Sequence, residues 1–131
     1  MKCVNLLALT ILVGTSAFAQ ENLAAKMIES ENGLINIQKG FLYNNVALIK
    51  SGIVQVKQAN EIFTNAEATK AYLPKEKLHM SNIAFNAAKR IDAAADEVAV
   101  YIDAKEFTKA EHAATDIITA CGSCHAIVRG W

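Results

Sequence analysis

Apolar residues recur along this chain in alternating steps of three and four. Leu23, Met27, Ser30, Leu34, Ile37 and Phe41 share one face of a helix, with Ser30 the one polar member. Gly40 and the Asn44-Asn45 pair mark the end of that helix. Val46, Ile49, Ile53, Val56, Asn60 and Phe63 repeat the spacing and predict a second helix. The stretch from Thr64 to Leu73 is less regular and reads as the main connection, with room for a short helical turn. Pro74 suits the first turn of a third helix, whose stripe is Met80, Ala84, Ala87, Ile91, Ala94, Val98 and Tyr101. After a link over Asp103 to Glu106, a fourth stripe follows: Phe107, Ala110, Ala114, Ile117, Cys121, Cys124 and Val128. Strand alternation is absent. Four amphipathic helices with short links predict an all-α fold, an antiparallel up-down-up-down four-helix bundle.

The start of the chain follows a different pattern. Lys2 precedes a nearly unbroken apolar run from Val4 to Val13, and Ala17-Phe18-Ala19 closes it with small residues. This order predicts a signal peptide over residues 1–19, cleaved after Ala19, and hence an exported, periplasmic protein. The run is too short to span a bilayer comfortably, so no integral membrane segment is expected after cleavage. Residues 20–131 then form a single domain. One proline and six glycines in the whole chain leave few breaks, and its 53% hydrophobic residues exclude a disordered chain. Thirteen basic and 13 acidic side chains give no charge excess for nucleic acid.

The candidate chemistry lies at the C-terminus. Cys121-Gly122-Ser123-Cys124-His125 is a C-x-x-C-H sequence, the attachment signature for c-type haem. Thiols at i and i+3 can each add to one vinyl group of a single porphyrin, and the adjoining His125 is then held as an axial iron ligand. Both cysteines belong to the fourth apolar stripe, so one covalent haem c would enter the bundle near the C-terminal end of helix four. Competing uses of C-x-x-C fit less well. A thioredoxin-type pair needs a βαβ context. Zinc needs further ligands, and His112 is about 20 Å away along the same helix. A disulfide at i, i+3 within a helix has poor geometry.

Topology narrows the second axial ligand. In an antiparallel bundle the start of helix one and the end of helix four are neighbours. Met27 and His125 then lie roughly 10 Å inside the same end, both facing inward. Met80 and His79, at the start of helix three, are rivals at similar depth, and a plain packing role for Met27 leaves the sixth position open. Arg129, one turn beyond His125, matches a haem propionate or simply the helix C-terminal dipole. Lys26 is a second propionate candidate. Gly33 within helix one can admit close packing of a helix or of the porphyrin.

With these residues in place, the chain resembles the class II c-type cytochromes, a family that includes cytochrome c′ and the cytochrome c556 type. The family pattern C-x-x-C-H-x-x-aromatic-Arg matches Cys121, Cys124, His125 and Arg129, with Val128 where an aromatic ring often stands. Cytochrome c′ members usually carry an arginine one turn before a bulky covering residue. With Met27 at the covering position, Leu23 occupies the arginine's place. Met27, Leu34, Ile37 and Lys39 are instead similar in spacing to the methionine-ligated first helix of cytochrome b562. The resemblance therefore implies an electron carrier with His125 and Met27 as axial ligands, no enzyme activity of its own, and redox proteins as partners. Pairing of two copies through helices one and two is common in that family. The alternative it leaves is a five-coordinate, cytochrome c′-like protein that binds nitric oxide or carbon monoxide. Peroxide turnover with His79 as distal base and a purely structural module are more distant readings.

Overall fold

The computed structural model describes residues 12–129, with side chains from residue 22 onward. Residues 1–11 of the expected signal segment lie outside it. The described chain is all-helical: α1 (Leu12–Leu42), α2 (Val46–Asn60), a single turn α3 (Ala66–Thr69), α4 (Ser81–Asp103) and α5 (Phe107–Arg129). The backbone of α1 is already helical across the expected cleavage point after Ala19.

Local chemistry explains most boundaries. Asn44 ends α1 in the left-handed region at φ 53°, and the Asn45 amide returns to the Gly40 carbonyl at 2.8 Å. Asn45 then caps α2, its side chain accepting from the Leu48 amide at 3.0 Å. Asn65 caps α3 in the same way. Lys105 closes α4 at φ 60°, with the Glu106 amide returning to the Tyr101 carbonyl at 2.8 Å.

The third helix departs from expectation. Pro74 opens a 3-10 segment, Lys75–Met80, and α-helical geometry starts only at Ser81. The tighter 3-10 winding, three residues per turn, takes Met80 out of the α-helical register on which its inward placement depended, and His79, one position off that stripe, is exposed. Helix two also stops earlier than its stripe, at Asn60 rather than Phe63. Val46 and Phe107, expected on the buried stripes, begin their helices at 37% and 48% exposure.

Two antiparallel hairpins organise the packing. Helix α1 lies along α2, and α4 along α5, while α2 and α4 join the pairs and α1 barely touches α5. Ile37, Ile49, Ile53, Val56, Ile91, Val98, Ile102 and Ile117, with alanines of α4 and α5, form one core. Ion pairs of Lys50 with Asp103 and Lys57 with Asp96 cross from α2 to α4. At this exposure they contribute little stability.

The α1–α2 contact is backbone to backbone. A Cβ at Gly52 would lie 2.5 Å from the Gly33 carbonyl oxygen and 2.7 Å from Ile37. One at Gly33 would meet Gly52 and Val56 at 2.8 Å. Gly33 therefore serves the helix contact. At Gly122 nothing lies within 4 Å of an added Cβ. Gly52→Ala should destabilise the haem-free chain by about 1–3 kcal/mol through overpacking. Gly122→Ala should stabilise it by up to about 1 kcal/mol through helix propensity. Urea unfolding of both variants checks this; shifts of the same sign would mean that propensity, not interhelical distance, governs α1 and α2.

Candidate functional site

The core ends at the level of Ile91 and Ala120, and below it the helices enclose a cavity of about 580 Å³. That volume falls in the range of small-molecule and cofactor sites. The separation of α1 from α5 opens it. Ala59 of α2 and Ala84 and Ala88 of α4 are too small to fill it, while Leu34, Phe63 and Ile91 give it apolar walls.

Five residues singled out in the sequence line this one cavity. Met27 comes from α1; Cys121, Cys124, His125 and Arg129 come from α5. On α5 the helical period brings residues 118, 121, 122, 125 and 129 to one side. Met27, both cysteines and His125 are half-buried, and Arg129 is exposed. The rivals are elsewhere: exposed His79 and half-buried Met80 do not line the cavity. Lys26 is engaged with Glu29 at 2.7 Å and with the Gln58 carbonyl at 3.3 Å. His112 is exposed near the start of α5, away from the cavity.

The lining also includes residues that sequence reasoning did not assign to a site. Ile28 and Ile118, each 59% exposed, carry apolar surface on the α1 and α5 sides of the opening. Glu31 adds a carboxylate there. Asn60 is buried in the wall, its Nδ2 donating to the Ala88 carbonyl at 2.7 Å. The available signals were an isoleucine one position off each stripe and a polar residue on an apolar one.

The electrostatics suit ligation by neutral groups. Burial pushes the Cys121 and Cys124 thiols up from their ordinary value, and Cys124 adds to the effect on Cys121. Burial, helped by the nearby Arg129 charge, lowers His125 from 6.5. At neutral pH the imidazole is therefore uncharged and carries a free ring lone pair. Both thiols are free. Among the described residues, no three His, Cys, Asp or Glu side chains are grouped to hold a metal ion by themselves. Cys121, Cys124 and His125 thus line one cavity without forming a zinc-type cluster.

No family model matches the chain, and no curated protein or solved structure is significantly similar to it. Among the described residues, no helix is long and apolar enough to cross a membrane.

The thiol environment has a direct chemical consequence. A raised thiol pKa lowers the thiolate fraction at any given pH, and the thiolate is the nucleophile. In the folded chain with both thiols free, Cys121 and Cys124 should react with iodoacetamide more slowly than after unfolding in urea, with rates that climb as pH rises. Equal rates in the folded and unfolded chain would contradict this account.

Proposed function

We propose that residues 20–131 form an up-down-up-down four-helix bundle holding one covalent haem c near the end of its last helix. In this reading the protein is an exported, periplasmic electron carrier of the cytochrome c556 type, and residues 1–19 are its signal peptide. One observation carries the proposal. A single cavity is lined by Met27, Cys121, Cys124, His125 and Arg129, and not by His79 or Met80.

The donor set and the walls fit such a group. Cys121 and Cys124 would hold it through thioether bonds, each made by adding S–H across one vinyl group. Sulfur bonds to one carbon and hydrogen to the other, so no atom leaves and no oxidant is consumed. His125, through its neutral imidazole, and Met27, through its thioether, would hold the iron. A His/Met pair raises the reduction potential. Arg129 makes no ion pair among the described residues, which leaves its guanidinium for a propionate. Leu34, Phe63 and Ile91 give the cavity apolar walls that lower the local dielectric. When bound, haem supplies a one-electron ferrous–ferric couple. The reading assigns the chain electron transfer to redox partner proteins and no catalysis of its own.

Visible spectroscopy of the purified protein tests this. The reduced form should show sharp α and β bands that carbon monoxide leaves unchanged. Met27→Ala should turn the spectrum high-spin and sensitive to carbon monoxide, and replacing both cysteines by alanine should abolish covalent attachment. Purified chain without haem would sink the proposal. A wild-type spectrum that shifts with carbon monoxide would transfer the protein to the five-coordinate, gas-binding reading.

A further inference from the structure

Two polar side chains interrupt the apolar wall of the cavity, and the helix register brings them to one level. Gly33 packs on Val56 and Gly40 on Ile49, so Ser30 of α1 comes level with Asn60 of α2. Asn60 is only 7% exposed. Its Nδ2 donates to the Ala88 carbonyl at 2.7 Å. A carbonyl can only accept, so the NH2 must face Ala88 and the amide oxygen must point elsewhere. That Oδ1 has no partner among the described residues, yet none of their enclosed polar atoms is left unsatisfied. It therefore keeps a path to water, and the cavity that Asn60 lines provides it.

Ser30 completes the pattern. Thr115, Thr119 and Ser123 each donate to the carbonyl four residues back in their helix, at 3.1, 3.1 and 2.7 Å. Ser30, also within a helix, makes no such bond among the described residues and lines the cavity instead. Its hydroxyl is free both to donate and to accept.

We propose that Ser30 Oγ and Asn60 Oδ1 form a binding site for one ordered water molecule in the cavity wall. The water donates one hydrogen to Asn60 Oδ1 and the other to Ser30 Oγ. Buried waters hold two to four polar partners, and Asn60 Oδ1 and Ser30 Oγ supply two. The site has a consequence that rests on the haem reading. A water whose hydrogens both point into the wall turns its oxygen toward the cavity, and the negative end of that dipole favours the more highly charged ferric state and so lowers the reduction potential.

Ser30→Ala is the variant of choice, because alanine is the better helix former and the fold does not depend on the hydroxyl. A high-resolution crystal structure of the full purified chain should show a water within hydrogen-bond distance of both groups, and Ser30→Ala should lose it. In the haem-bearing protein the same variant should raise the midpoint potential. A wild-type map with no water at Asn60 Oδ1 overturns the site, as does a Ser30→Ala protein that retains both the water and the potential. If the chain carries no haem, the proposed function falls, while the electron density still decides the water site.

Discussion

The close crossing of α1 and α2 is the contact on which the rest of the arrangement depends. Gly33 and Gly52 have no Cβ, so two backbones approach where any larger residue would collide with a carbonyl. That approach has a cost, since glycine is the weakest helix former after proline. It is offset by contacts that Ile37, Ile49 and Val56 make around the crossing. The crossing also locks the register between the helices, and with it the residues of α1 that face the lower cavity. Met27 and Ser30 are there because Gly33 sits where it does.

The same crossing draws α1 toward α2 and away from α5, which leaves the seam between α1 and α5 open. On α4 the small residues Ala84 and Ala88 stand where larger side chains would close the space. Higher up, Ile53, Val56, Val98 and Ile117 fill the interior. The described chain is thus close-packed over its middle, with a cavity of about 580 Å³ toward one end. Met27, Cys121, Cys124 and His125 line that cavity. Burial there pushes both thiols up from their ordinary value and His125 down, so all three groups favour their uncharged forms.

A wall that is mostly apolar makes each polar member count. Arg129 lies at the end of α5 with no carboxylate partner among the described residues. Asn60 is tied on one side to Ala88 and ties α2 to α4 at the cavity wall. Ile28 and Ile118 add exposed apolar surface at the opening, so cavity and rim share one chemical character.

Hydrophobic periodicity alone determined that the chain is helical, how many long helices it has and which face of each turns inward. Ile37, Ile49, Val56, Val98 and Ile117 are buried where the stripes put them. The C-x-x-C-H motif likewise defined its candidate chemistry without reference to any other part of the chain. Periodicity is a property of a single helix: it gives direction around an axis, and no distance between axes. Which distant residue shares a cavity with His125, whether Gly33 faces a helix or a cofactor, and that Asn60 and Ser30 stand level were settled only by packing. The start of the third long helix was also illegible. Whether the residues after Pro74 wind as 3-10 or α depends on how that segment meets its neighbours, and this choice separates Met80 from the cavity that Met27 lines.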